Sequence, residues 1–428
     1  MTDKKGVLPR TVGFWGASLF PVNGMIGAGI FALPAILVAA VGDFAPWMMV
    51  FGLVLILPLA FVFSTLATRF DHHGGPILYA GTAFGSFFGF QAGWARYASG
   101  VVAIAANTHV AIAYLAVLFP ILDDPLLRTG AVVAFIAFTT VVNLVGMRAS
   151  VGLLGVMTAV KILPLIGLIV LGLATRDSSV SLTLPQFSQF ESVVLLTFYA
   201  FMAFENGTFA AGEVRDAKRT VPRALLVTIG AVATFYVLVI LAYLAVSPAV
   251  AEGESALAAA AGDLLGQAGV IAISVAASFS IAANSLSGGI VTPRMTYGMA
   301  EQGMLPRVFA HISPRFQTPD VSILFYGGTA IVFSLWGGFA ALAVASTLSR
   351  LVMYLLSSAA LPVIEHRDDK KVPIWHLPIA LLAAASTVWV ASHASPRAFL
   401  MLGLILLVGS GLYLVARRQP MESGSETS

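Results

Sequence analysis

Residues 23–31 read Asn23-Gly24-Met25-Ile26-Gly27-Ala28-Gly29-Ile30-Phe31, in the middle of an apolar run covering 12–39. Three glycines within six residues make a continuous helix weak at this point. A second apolar run, 190–211, is interrupted by Ala203-Phe204-Glu205-Asn206-Gly207. Unwound backbone in lipid leaves N–H and C=O groups without partners, which is tolerated only against protein or around a cavity. Glycines can instead serve close helix packing. That reading covers the first run but not the Glu in the second.

Working outward, apolar windows of membrane-crossing length predict about twelve spans: 12–39, 44–67, 86–118, 128–147, 151–174, 190–211, 222–246, 267–300, 320–337, 339–362, 375–393 and 397–416. The connections are short, which predicts no inserted soluble domain. The two interruptions fall in spans 1 and 6, five spans apart. This pairing predicts two five-span halves, 12–174 and 190–362. Spans 11 and 12 follow over 375–416, with a cytoplasmic segment at 1–11 and a disordered tail at 417–428. Transport folds built from inverted repeats place their sites at such paired breaks.

Composition agrees. The 428 residues are 58% hydrophobic and 10% charged, against about 25% charged in soluble domains. Cysteine is absent, which excludes disulfides, zinc–thiolate sites and thiol catalysis. The net charge is +3, and the basic residues flank the apolar runs rather than forming a nucleic-acid patch. With the N-terminus inside, 17 Lys and Arg fall on the cytoplasmic side, 3 outside (Arg128, Arg176, Arg397) and 3 within spans (Arg96, Lys161, Arg350). The asymmetry predicts a multi-pass inner (plasma) membrane protein with both termini cytoplasmic.

Lys161 stands near the middle of the fifth span, VGLLGVMTAVKILPLIGLIVLGLA. A charge at that depth needs a partner, a cavity or loss of its proton, and is a functional candidate by default. Burial favours the neutral amine, whereas a cage of carbonyls favours the ammonium. Glu205 either takes a proton, orients the unwound segment, or caps broken backbone N–H groups. His109, alone in span 3, reads as a packing residue. Arg96 and Arg350 read as structurally paired or snorkelling. Phe198, Tyr199, Phe201 and Phe204 gather at the second break, one to gate and the rest to pack.

The breaks also suggest a ligand. Amides opening a half-helix attract a carboxylate. Carbonyls closing the preceding half accept from an ammonium. One break therefore suits both ends of a zwitterionic amino acid, and Gly27 and Gly29 let it approach the backbone.

Ile26-Gly27-Ala28-Gly29-Ile30-Phe31 resembles the Gly-Ser/Ala-Gly-Ile/Val-Phe signature of the amino acid–polyamine–organocation transporter superfamily. Gly74-Gly75-Pro76-Ile77-Leu78-Tyr79, with Ala83-Phe84-Gly85 and Gly93-Trp94, is similar to its segment between spans 2 and 3. Phe201-Met202-Ala203-Phe204-Glu205 resembles its span 6 motif, followed as in the family by Arg219-Thr220-Val221-Pro222-Arg223-Ala224. The stretch 297–319 resembles its segment after span 8. Among relatives, bacterial proton-coupled permeases and cationic amino acid transporters share a lysine in span 5.

The resemblance implies an all-α fold of two inverted five-helix repeats, with helices 1 and 6 broken, plus two further helices. It places the substrate carboxylate on the amides of Ala28 and Gly29, beside Gly27, with Glu205 at the same site. The amino group would meet the carbonyls of Met25, Tyr199 and Met202. Lys161 would stand where sodium-coupled relatives bind a cation, facing the carbonyls of Asn23 and Ile26 and a polar group on span 8: Ser280, Asn284 or Ser285. Ala203 departs from the family's usual Gly, Ala217 replaces a common Pro, and span 3 lacks the acid some relatives use.

The function expected is secondary active transport of amino acids by alternating access, proton-coupled and sodium-independent. Its partners would be a small amino acid, a proton and membrane lipid, with no nucleic acid, cofactor or metal. Exchange or export is the alternative. An embedded enzyme lacks support: no HExxH, GxSxG or intramembrane acid pair appears, and His72-His73 is a loop pair. A channel would need a continuous polar path, whereas the polar residues cluster at the breaks.

Overall fold

The computed structural model describes residues 12–70, 75–146, 151–175, 184–209, 214–246, 253–367 and 373–419. Within them the chain is helical, with no strand beyond one isolated bridge between Val12 and Val214. The segment 1–11, His72, His73, Gly74, Arg148, Arg176, Lys370, Lys371 and the tail from 420 lie outside the described residues.

Span 1 comprises two half-helices, Phe14–Met25 and Gly29–Val41. Span 2 is Ala45–Arg69, span 3 Ser86–Leu118, span 4 Pro125–Val145 and span 5 Val151–Thr175. Span 6 is again split, into Phe187–Tyr199 and the short Asn206–Phe209. Spans 7 to 10 are Ala217–Val246, Gln267–Glu301, Asp320–Ser334 and Phe339–Arg367. Spans 11 and 12 are His376–Ser392 and Pro396–Arg418. Local chemistry sets several of these starts. Asp124 caps span 4 by accepting from the amides of Leu126 (3.0 Å) and Leu127 (2.9 Å), ahead of Pro125 at the first helical position.

Eight helical stretches among the described residues are long and apolar enough to cross a membrane, by length and composition. The difference from twelve has simple causes. Spans 1 and 6 are divided by their breaks, and spans 9 and 11 have only 15 and 17 helical residues, below the roughly 20 that a full crossing takes. Several helix ends differ by a few residues from the sequence-based bounds, span 4 starting at Pro125 and span 7 at Ala217. The connections after spans 2 and 7 carry helices of their own, Pro76–Phe84 and Ala256–Leu265. Arg417 and Arg418, assigned to a tail, end the last helix. All three segments were too polar or too brief to stand out as spans.

Packing repeats itself between the two halves. Span 1 meets span 7 as span 6 meets span 2; span 1 meets span 5 as span 6 meets span 10. Spans 3 and 10 pack together, and so do their counterparts 8 and 5. Spans 2 and 7, 3 and 8, and 4 and 9 pair directly. An odd number of crossings per half gives the second half the opposite direction, so this is the contact pattern of an inverted five-plus-five repeat in an all-α, multi-pass membrane protein. Helices in lipid gain little from excluding water and associate through close packing and polar contacts. The close approaches accordingly occur at glycines and buried hydroxyls, and both breaks lie inside the bundle.

Candidate functional site

The first break covers 26–28. The amides of Ala28, Gly29 and Ile30 donate to no backbone carbonyl among the described residues; Phe31 is the first partnered amide of the second half-helix, to Ala28 O at 3.0 Å. These are the orphan donors expected at a helix start. The carbonyl ends are partly held. Met25 O accepts from Gly27 N–H at 3.1 Å, and the Tyr236 hydroxyl lies 3.5 Å from it. Asn23 O accepts from the Asn284 side chain of span 8 at 2.7 Å.

Lys161 reaches this break from span 5. Its Nζ donates to Ile26 O at 2.9 Å and to Asn23 Oδ1 at 2.8 Å, and the residue is only 2% exposed. Asn23 is fixed in turn, donating to Thr158 Oγ1 at 2.8 Å and Leu19 O at 3.0 Å. No group on span 8 bonds the amine among the described residues. Asn284 takes the Asn23 carbonyl instead, so the amine meets the Asn23 side chain and not, as the sequence suggested, its main chain. Ser280 and Ser285 are buried with hydroxyls that lack a partner among the described residues. From Asn284 the polar chain continues: Asn107 Nδ2 donates to Asn284 Oδ1 at 3.4 Å, and Tyr199 hydroxyl donates to Asn107 Oδ1 at 2.8 Å. Spans 5, 1, 8, 3 and 6 are thereby joined in one network.

The second break covers 200–205. Amides of Ala203, Phe204 and Glu205 lack backbone acceptors among the described residues, and the carbonyls of Ala200, Phe201 and Met202 accept no backbone bond there. Tyr199 O is taken by Met202 N–H at 3.1 Å. Ala203 has φ +72°, a left-handed conformation that a β-carbon disfavours. The two breaks touch. A Cβ at Gly24 would lie 2.7 Å from Asn206 Nδ2 and 2.9 Å from Ala203 O, so only glycine admits the second break so close to the first. The space at Gly29 is taken by the Tyr236 hydroxyl, 2.8 Å from where a Cβ would stand; only Gly27 looks onto the polar chain, 3.6 Å from the Asn284 side chain and 3.7 Å from Asn107.

Glu205 is fully buried. Its Oε1 lies 3.1 Å from Arg96 Nε of span 3 and 3.2 Å from Arg350 Nη1 of span 10. Its Oε2 accepts from the Tyr354 hydroxyl at 2.8 Å. Arg96 Nη2 donates to Asn206 Oδ1 at 3.1 Å, and Arg350 Nε donates to Ser99 Oγ at 2.9 Å. The rings of Phe63 and Phe204 pack on Tyr354 at 5.6 and 5.5 Å, screening the carboxylate with apolar surface. No backbone amide among the described residues donates to Glu205, so its partners are side chains rather than the broken main chain.

Met25, Gly27, Ala28, Gly29, Tyr199, Met202, Glu205, Asn23, Ile26, Lys161 and Asn284 thus gather around two adjoining breaks. Phe198, Phe201 and Phe204 are buried packing residues, whereas Tyr199 faces the polar chain. His109 contacts the Ser334 carbonyl at 2.9 Å, which satisfies it against span 9. The sequence reading missed Asn107, Thr158, Ser99, Tyr236 and Tyr354, and gave Asn206 no partner. It also took Arg96, Arg350 and Glu205 one at a time. Their common signal was charge: three ionisable groups in apolar runs must find one another.

Comparison with known proteins agrees with this architecture. The family model described as amino acid permease matches residues 12–408. The serine/threonine exchanger SteT of Bacillus subtilis (strain 168) is 26% identical over 430 residues, covering 95% of this chain and 96% of the relative. The cadaverine/lysine antiporter of Escherichia coli (strain K12) is 27% identical over 312 residues, 71% of this chain and 70% of the relative. These relatives are transporters rather than enzymes. With broken spans 1 and 6 in a bundle of this pattern, and a family match over nearly its whole length, the chain belongs to the amino acid permease family of multi-pass membrane transporters.

Proposed function

We propose that this permease is a secondary active, proton-coupled and sodium-independent amino acid carrier, with Lys161 in place of a coupling cation. The observation that carries the reading is the buried Lys161 Nζ donating to the broken backbone of span 1 at Ile26 O (2.9 Å) and to Asn23 Oδ1 (2.8 Å). Protonated, it ties span 5 to the break and favours the arrangement that grips substrate. Deprotonated, it loses the charge that makes these bonds strong, and the helices are free to rock apart. The bare amides of Ala28 and Gly29 would receive the substrate carboxylate, and the carbonyls of Met25, Tyr199 and Met202 its amino group. The mature chain would lie in the inner (plasma) membrane with both termini cytoplasmic, as the Lys and Arg asymmetry supports.

The test is Lys161→Ala in proteoliposomes. Amino acid uptake driven by a pH gradient should disappear, while wild-type uptake is indifferent to sodium. Uptake by the variant that still follows the pH gradient would end the idea. Exchange is the second reading, favoured by the names of both relatives, an exchanger and an antiporter. Under exchange, preloading vesicles with amino acid accelerates uptake without any gradient.

A further inference from the structure

Two arginines close on a single carboxylate oxygen. Arg96 Nε and Arg350 Nη1 stand 3.1 and 3.2 Å from Glu205 Oε1, and all three residues are at most 5% exposed. The Tyr354 hydroxyl donates to the other oxygen, so it keeps its proton and adds no charge. Two cations therefore face one anion. Among the described residues the other buried acid is Glu365, spent on Arg69 (2.8 Å) and His376 (2.7 Å), fifteen residues further along span 10. At about 1.5 Å of rise per residue that is about 22 Å away.

The guanidinium donors are also underused. Arg96 Nε and Glu205 Oε1 are buried without a hydrogen bond among the described residues, so their 3.1 Å contact is an ion pair alone. The cluster adjoins the candidate site through Asn206, which accepts from Arg96 Nη2 at 3.1 Å and packs on Gly24 of the first break. A buried net charge with unspent donors is costly unless a counter-charge arrives. Planar guanidinium groups match a carboxylate in shape as well as sign.

We infer that Arg96 and Arg350 form a subsite for the side-chain carboxylate of the transported amino acid, so that acidic amino acids are preferred and cationic ones rejected. The inference rests on the amino acid carrier reading above and supplies its substrate class. Glu205 is the intramembrane acid that a cationic side chain would need, and here both arginines already neutralise it. An ammonium or diamine would enter a region already in positive excess.

The experiment is a thermal-unfolding series on purified protein in detergent, with neutralised L-glutamate, L-aspartate, L-serine, L-lysine and cadaverine, and chloride alone as control. Glutamate or aspartate should raise the midpoint at lower concentration than serine, and lysine, cadaverine and chloride should leave it in place. In Arg350→Gln and, independently, Arg96→Gln, the half-effective concentration should rise about tenfold more for the acid than for serine, as the loss of a charge-assisted hydrogen bond implies. A response to serine but not to either acid would overturn the subsite and leave the carrier reading intact. A response to lysine or cadaverine would overturn it too. No response to any amino acid would remove the carrier reading and the subsite with it. The wild-type series does not depend on either variant folding.

Discussion

The break in span 1 and the break in span 6 are held by matching elements of the two repeats, yet by different chemistry. Spans 5 and 8 grip the first, through Lys161 on Ile26 O and Asn284 on Asn23 O. Their repeat counterparts, spans 10 and 3, grip the second through Arg350, Tyr354 and Arg96 on Glu205. At the first break the cation meets neutral oxygens, and an amine can give up its proton. At the second, guanidinium groups keep theirs at any physiological pH and close on a carboxylate. The difference assigns a removable charge to the first break and a permanent one to the second. On the proposals above, coupling belongs where charge can leave, and selection by charge where it cannot.

The comparison can be broken most forcefully at the second site. Glu205→Gln leaves two buried arginines facing each other without a counter-ion. Removing one partner of a buried ionic cluster costs about 3–5 kcal/mol, so the unfolding midpoint should drop sharply or the protein fail to accumulate. The double variant Glu205→Gln/Arg350→Gln should recover part of that loss. A stable Glu205→Gln would mean the arginines are compensated by something else.

At the first site the losses should be smaller, because its acceptors are neutral. Lys161→Ala strands the Ile26 carbonyl and the Asn23 side chain. The expected destabilisation is about 1–3 kcal/mol, measured by thermal or denaturant unfolding in detergent. Asn284→Ala breaks one bond to Asn23 O and one from Asn107, and should cost about 1–2 kcal/mol in the same assay. An Asn284→Ala loss as large as that of Glu205→Gln would erase the distinction between the two breaks.

The smallest expected effect is a gain. Ala203 holds φ +72° in the second break, a conformation that costs an L-residue about 1–2 kcal/mol relative to glycine. Ala203→Gly should therefore raise the unfolding midpoint, the relief being partly offset by the greater freedom of glycine in the unfolded chain. A lower midpoint would show that the methyl group contributes packing that outweighs the strain.

Much of the architecture was readable because lipid leaves few options. Long apolar runs must be helices, and Gly24, Gly27 and Gly29 in one run, with Glu205-Asn206 in another, marked where two of them give way. The helices Pro76–Phe84 and Ala256–Leu265 were not readable: they do not cross, so hydropathy carries no signal for them. At the site, Lys161 was conspicuous as a lone charge. Its choice of the Asn23 side chain over the main chain depended on Asn284 arriving from a helix more than 250 positions away. The Arg96–Glu205–Arg350 cluster draws on spans 3, 6 and 10, and no local pattern links them. A charge balance over the buried positions would have found it, since an acid between two basic residues in apolar runs has few other partners.

The division of labour between the two breaks is tested most directly by side-by-side uptake in proteoliposomes. Wild type, Lys161→Ala and Arg350→Gln would be compared with radiolabelled L-glutamate and L-serine, each with and without an imposed pH gradient. The account predicts that Lys161→Ala loses the gradient response for both amino acids. Arg350→Gln should keep a gradient response while its preference shifts from glutamate toward serine. A gradient response that survives in Lys161→Ala, or that vanishes in Arg350→Gln with the preference unchanged, would contradict it.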